Sequence, residues 1–393
     1  MALRQPTEDE LRTVGSLKWT GVETDDGQPT LGAWVAEMDF GTSPAIEKRL
    51  VEAIRGGLLG YLPRWAKEGV VEALVPFLER RYGWVVKPEW VFPTSTIITA
   101  LHSVIEKMTR PGSPIIVPAP AYMPFLTIPG QHGREVIEVP ALHTPNAENG
   151  PDAWSLDLEG IRAGLEAGAG LVILCNPWNP TGRVLTTEEL VALHEVVKDY
   201  DVLIFSDEVH APLVFGDPSD FVPYASLGPD FARQTITAVG ASKAWNVPGL
   251  NCAQIIIPDE DLREEWEEKI MKTDRGPITL GSIAAIEAYT DDDEWLGEAI
   301  SQVAKNLDAL EEAIEGTSVD YSRPEGTYLT WLGFDDYDLG ATPAEVLREE
   351  FQVATNSGET LGAPYRNWVR VNAAMSEEPW TKVVAAIGEI AGR

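Results

Sequence analysis

Leu171-Val172-Ile173-Leu174-Cys175-Asn176-Pro177-Trp178-Asn179-Pro180-Thr181-Gly182 decides the fold: five apolar residues, then a turn of asparagine, proline and glycine. A continuous apolar run this short fits a strand buried on both faces of a parallel sheet. Two later segments repeat the plan. Val202-Leu203-Ile204-Phe205 leads into Asp207-Glu208-Val209-His210, and Ile236-Thr237-Ala238-Val239 leads into Ser242-Lys243-Ala244-Trp245-Asn246. Ligands of open α/β sheets bind outside the carboxyl ends of the strands. Three polar clusters at three such ends therefore converge on one site.

The residue types at those ends match the needs of pyridoxal phosphate. A protein holds this electron-sink cofactor through a lysine Schiff base and a carboxylate facing the pyridinium nitrogen. Lys243 is the candidate lysine and Asp207 the candidate carboxylate. Asn179 is placed to donate to the ring's phenolic oxygen, and His210, three residues past Asp207, to reach the same edge of the ring. Taken singly, these signals also suit a surface lysine and ordinary turns. An Asp-Glu pair after an apolar strand suits a P-loop ATPase too, but the chain has no G-x-x-x-x-G-K-[ST] loop. The order Asn179, Asp207, Lys243, each at its own strand end, carries the reading.

Further segments complete a pattern over nearly the whole chain: Leu17-Lys18-Trp19, Trp34-Val35-Ala36-Glu37-Met38-Asp39-Phe40, Gly60-Tyr61, Pro111-Gly112-Ser113, Pro120-Ala121-Tyr122, Gly326-Thr327-Tyr328-Leu329 and Arg370-Val371-Asn372. With the three clusters above, they resemble the cystathionine (cysteine-S-conjugate) β-lyase branch of fold type I pyridoxal-phosphate enzymes, the MalY/PatB group, and especially actinobacterial carbon–sulfur lyases. The W-V-A-x-M-D-F and S-K-x-x-N segments distinguish that branch from ordinary aminotransferases. The resemblance implies an α/β fold of the aminotransferase class I/II type: a large, mainly parallel seven-stranded sheet domain sandwiched by helices, and a smaller α+β domain. It implies that Ser95, Thr96 and Ile97, at a helix start, bind the cofactor phosphate with Ser242. Tyr122 would stack on the ring and Tyr61 would reach the phosphate of a neighbouring subunit, making a homodimer with shared active sites. Arg370 would grip the substrate α-carboxylate, with Trp34 and Tyr122 also at the substrate. A planar guanidinium suits that bidentate task.

The implied reaction is α,β-elimination on L-cystathionine or another L-cysteine S-conjugate, yielding a thiol, pyruvate and ammonia. Residue types alone do not separate elimination from transamination. An aminotransferase, a specialised biosynthetic enzyme acting on a bulky cysteine conjugate, and a cofactor-bound regulator are the alternatives. No basic helix-turn-helix segment supports the last. Three positions depart from the branch: Asn251 where Lys or Arg is frequent, Gly240 where Ser is frequent, and Glu37 in place of Asp.

Composition bounds the rest. At 393 residues with 44% hydrophobic content, the chain can build two sizeable cores. A net charge of −32, from 30 basic and 62 acidic residues, argues against binding nucleic acid or an anionic membrane. The acids are dispersed, as in Glu264-Glu265-Trp266-Glu267-Glu268 and Asp291-Asp292-Asp293-Glu294, and read as solvated faces and turns. Five scattered histidines indicate no metal site. Two cysteines make no disulfide framework, and no apolar leader opens the chain, so a cytoplasmic location is expected.

Residues 1–45 read as an arm with little helical periodicity. Helices are expected over Pro44–Ile54, Lys67–Arg81 and Ile97–Met108, and from the capping box Thr186/Glu189 through Tyr200. A strand is expected around Tyr328–Phe334, and a second capping box at Thr342/Glu345 with Pro343 in the first helical position. The expected division is a large domain over 46–279, with 1–45 and 280–393 forming the arm and small domain.

Overall fold

The structure, a computed structural model, describes residues 3–147, 150, 152–290 and 294–393. The acidic run at 291–293 lies outside them. A seven-stranded sheet dominates. Its strands are β1 (Val91–Thr94), β2 (Ile115–Ala119), β3 (Val136–Pro140), β4 (Leu171–Cys175), β5 (Leu203–Asp207), β6 (Thr235–Val239) and β7 (Ala253–Ile256). They lie side by side in the order β1-β7-β6-β5-β4-β2-β3. Every pairing is parallel except those of β7, which runs against both β1 and β6.

Apolar residues on both faces of these strands explain why helices cover both. Ile173 and Phe205 pack on one side with Leu101, Ile105, Phe125 and Trp266. Their neighbours Val172, Leu174 and Ile204 pack on the other with Leu190, Leu193 and Val197. Register brings the strand ends level, since Cys175 pairs with Asp207 and Asp207 with Ala238. The chain leaves β3 to re-enter on the far side of β2 as β4, so a crevice opens between the ends of β2 and β4. Trp178 Nε1 donates across it to the Pro120 carbonyl at 2.7 Å.

A second, antiparallel sheet contains β8 (Asp320–Tyr321), β9 (Leu329–Gly333), β10 (Asn356–Ser357) and β11 (Trp368–Asn372), in the order β8-β9-β11-β10. The N-terminal segment reaches this part of the molecule: Leu31–Gly32 pairs in parallel with Val353–Ala354.

The expected helices stand at Pro44–Arg55, Arg64–Tyr82, Ile97–Lys107 and Thr187–Val197, and both capping boxes form. The first 45 residues are not a plain arm. They hold helices Glu8–Val14 and Leu17–Thr20. The first is seven residues long and buries only Leu11, too little for an apolar period to register, although Thr7 and Glu10 spell its capping box. Among the described residues no helix is long and apolar enough to cross a membrane.

Candidate active site

A cavity of about 200 Å³ opens at the carboxyl edge of the large sheet. Ser95, Thr96 and Ile97 line one end, where Thr96 caps the helix Ile97–Lys107 through a hydrogen bond from the Thr99 N–H. The first N–H groups of an α-helix have no partner in its own ladder, so this end presents free donors. Tyr122, Asp207, Ser242, Lys243 and Asn251 line the rest. Lys243 is the only cation among these lining residues. Asn251, which stands in place of a basic residue, adds none. A Cβ at Gly240 would meet its nearest neighbour at 3.6 Å, so lack of room does not explain the glycine.

Lys243 is half-buried, and its Nζ donates to the Ala36 carbonyl at 3.2 Å. Burial and the Arg370 charge pull its pKa down to about 8, against the opposing pull of Asp207 and Glu37. The buried Asp207 accepts from the Val209 N–H at 3.1 Å. Desolvation drives its pKa up to about 6, while that hydrogen bond and Lys243 hold it back. Alternation along the extended chain sends Glu208 away from the cavity. It accepts from Ser206 at 2.8 Å and the Tyr224 N–H at 3.1 Å, and burial raises its pKa to about 8.

Arg370, on β11, is 3% exposed. Its Nη1 donates to Asn179 Oδ1 at 3.1 Å, and its Nη2 to the Trp34 carbonyl at 3.1 Å and Asn356 Oδ1 at 2.6 Å. Its Nε is buried without a partner. These bonds bring Asn179, Trp34 and Arg370 together, and with Asn179's oxygen taken the amide's NH2 end remains free to donate. The Arg370 charge is also felt at Tyr122, whose phenol burial raises, and at His210. His210 is buried, its Nδ1 2.9 Å from the Thr327 hydroxyl, and desolvation lowers its pKa well below the ordinary range. Thr327 holds that position from a left-handed backbone, φ 66°. Tyr61 is fully exposed and takes no part in this chain's own cavity.

The residue reading missed five contributors. Tyr328, quoted only within its motif, donates from its hydroxyl to the same Ala36 carbonyl that receives Lys243, at 3.0 Å. Asn356 braces Arg370. The motif members Lys18 and Asp39 form a buried ion pair at 2.8 Å, and Asp39 also accepts from Trp19 Nε1 at 2.9 Å. Asn246 binds Met38 through both its N–H and its carbonyl, at 2.8 and 2.9 Å, and the Gly41 carbonyl at 2.8 Å. The chain's most distinctive segments thus dock onto one another beside Lys243.

Comparison with known proteins identifies the family and the fold. Residues 34–387 match the model of the family described as aminotransferase class I and II. A cystathionine β-lyase of Corynebacterium glutamicum is 37% identical over 96% of both chains. The cystathionine β-lyase PatB of Bacillus subtilis is 32% identical over 92% of both. A crystal structure of a candidate PLP-dependent β-cystathionase from Corynebacterium diphtheriae superposes with a TM-score of 0.89 at 31% identity, covering 100% of each chain.

Proposed function

Because the chain belongs to the aminotransferase class I and II family, we propose that it is a pyridoxal 5'-phosphate-dependent carbon–sulfur lyase. It cleaves L-cystathionine or another L-cysteine S-conjugate by α,β-elimination to a thiol, pyruvate and ammonia. The observation that carries this reading is one cavity shared by the Lys243 amine and the Asp207 carboxylate, with the Arg370 charge felt at Lys243. Relatives with that named activity match end to end.

The donor set fits the cofactor. Asp207 is a desolvated carboxylate whose one described hydrogen bond comes from Val209, so a pyridinium N–H would add a hydrogen-bonded cation to the more distant charge of Lys243. The free N–H groups at Ile97, with the Ser95, Thr96 and Ser242 hydroxyls, suit a phosphate. Tyr122 offers its ring for stacking, while Asn179 and His210 would face the phenolic oxygen and Lys243 the aldehyde. When bound, the cofactor supplies an electron sink for the pair left by loss of the substrate's α-proton.

The chain's own residues do the rest. With a pKa near 8, a sizeable fraction of Lys243 is neutral at physiological pH and able to take the α-proton. Arg370 holds the α-carboxylate, and its Asn179 and Asn356 bonds fix the guanidinium plane. Asn179, bonded to Arg370, would also donate to the ring's phenolic oxygen in this reading, so the substrate's carboxylate would be positioned relative to the ring rather than independently of it. Asp207 would stay ionised opposite a pyridinium cation and would favour the protonated ring nitrogen.

The working unit in this reading is a homodimer. Val51, Ile54, Leu59, Trp65 and Ile278 leave exposed apolar surface around the fully exposed Tyr61, which would reach a partner's phosphate end, where this chain's lining is neutral. Residues 46–279 would act as the cofactor-binding domain, with 1–45 and 280–393 as a small domain and arm, and two free cysteines suit a cytoplasmic location. The test is product analysis. L-cystathionine or an S-alkyl-L-cysteine should give pyruvate, ammonia and thiol in equal amounts without added keto acid. Turnover that demands a keto acid, with the cofactor accumulating as the amine, replaces this reading with an aminotransferase.

A further inference from the structure

One carbonyl receives two donors of very different freedom. Among the described residues, the Ala36 carbonyl is the only hydrogen-bond partner of Lys243 Nζ, at 3.2 Å, and of the Tyr328 hydroxyl, at 3.0 Å. The carbonyl is held still, because those on both sides of it are tied. Val35 accepts from Asn372 Nδ2 at 2.6 Å, and Glu37 from Asn372 Nδ2 at 2.6 Å and Lys18 Nζ at 3.1 Å. Tyr328 is equally fixed. Its ring is 1% exposed and meets the His210 ring edge-on. Its backbone is anchored on both sides, by the Thr327 N–H to the Leu213 carbonyl at 3.1 Å and by its own carbonyl to the Ala373 N–H at 2.8 Å. Lys243 instead hangs on a flexible four-carbon stem.

A carbonyl oxygen has two lone pairs. The rigid phenol occupies one of them, and burial keeps that phenol protonated, so it remains a donor at every working pH. The amine is left the other lone pair and approaches from one side, which aims the rest of its head group. Hydrogen bonds that meet at one atom polarise one another, and two donors on one oxygen weaken each other. The loss falls mainly on the charged form of the amine, whose hydrogen bond is the stronger. The charged groups felt at Lys243 are Arg370, Asp207 and Glu37, and the nearby His210 and Tyr122 complete its titratable surroundings. Removing one phenolic oxygen alters none of them.

We propose that Tyr328 is a positioning residue for Lys243: through the Ala36 carbonyl it aims the free amine and withholds stabilisation from the amine's protonated form. This rests on the reading of Lys243 as the base that takes the α-proton. Tyr328→Phe keeps the ring and removes only the O–H. In the cofactor-free protein, the pH dependence of Lys243 acetylation, read by mass spectrometry, should move up from about 8 by roughly half a pH unit. Fluorotyrosine incorporated at position 328, a stronger donor of nearly the same shape, should move it down. In the holoenzyme, Tyr328→Phe should slow exchange of the substrate α-proton with solvent deuterium by about tenfold, with KM within about twofold. A Lys243 titration that stays put, or that moves the same way in both proteins, overturns the proposal. So does a rise in KM with exchange unchanged, which would put Tyr328 on the substrate. If Tyr328→Phe fails to fold, the fluorotyrosine protein alone decides by the direction of its shift. Loss of the α-proton precedes both elimination and transamination, so a demand for keto acid defeats the lyase reading and leaves this test standing.

Discussion

Asp207→Asn is expected to raise the stability of the cofactor-free protein at alkaline pH while removing most activity from the loaded one. The carboxyl has a pKa of about 6 in the folded chain against an ordinary 3.8, chiefly because burial strips its water. A folded-state pKa above the unfolded value means the native chain binds the proton more tightly. Its stability contribution is therefore intact below about 3.8 and is lost as pH rises through 6. The gap corresponds to about 3 kcal/mol. Glu208, which burial also raises, titrates nearby, but its share is common to both proteins and largely cancels in their difference. Urea melts of the apo forms at pH 4, 6 and 8 read that difference directly. Wild type should lose up to about 3 kcal/mol relative to Asp207→Asn across this range. With cofactor, a cation opposite Asp207 reverses the preference, and the variant should lose ~10²–10³ in kcat. Glu208→Gln keeps the acceptor for Ser206 and Tyr224 and should leave kcat nearly unchanged. A pH-independent stability difference would refute the desolvation argument. Equal activity losses in the Asp207 and Glu208 variants would refute the geometry at the end of β5.

Purified protein should be yellow, and borohydride should fix the cofactor on Lys243; label on any other lysine removes the site assignment. Lys18→Met should destabilise the fold by ~3–5 kcal/mol in urea, since it strands the buried Asp39 carboxylate, and a loss below ~1 kcal/mol would mean the pair is no more than a surface bridge. Inactive Tyr61→Ala and Lys243→Ala chains, mixed with subunit exchange confirmed, should regain activity by forming one intact site per heterodimer. Failure to recover places Tyr61 outside the partner's site.

Local chemistry made much of this protein legible. Leu171–Cys175 and its two counterparts announce themselves as strands because burial on both faces demands unbroken apolar runs. Both capping boxes fall where threonine and glutamate are spaced by three. Asp207 and Lys243 could be nominated because a strand end is a one-dimensional landmark. Partnerships across long sequence separation could not. Nothing near Arg370 says that its fork is filled by Asn179, 191 residues away, by Asn356 and by a Trp34 carbonyl. Helix Glu8–Val14 is too short for periodicity to outweigh its polar surface.

The two most distinctive segments mark the boundary between what can be read and what cannot. W-V-A-E-M-D-F and S-K-A-W-N are recognisable as strings, but neither string contains its own reason. Asn246 supplies it by adopting a left-handed backbone, φ 55°, and spending its amide on Met38 and Gly41. Asp39 then anchors the same stretch to Lys18 and Trp19. What is held in place is the Ala36 carbonyl, the group that receives both the Lys243 amine and the Tyr328 hydroxyl. The N-terminal segment is therefore one wall of the lysine's environment, supplied from more than 200 residues away in sequence. A change at Asn246, Lys18 or Asp39 should consequently alter the behaviour of Lys243 without touching the substrate, a consequence that follows from the docking and not from either string.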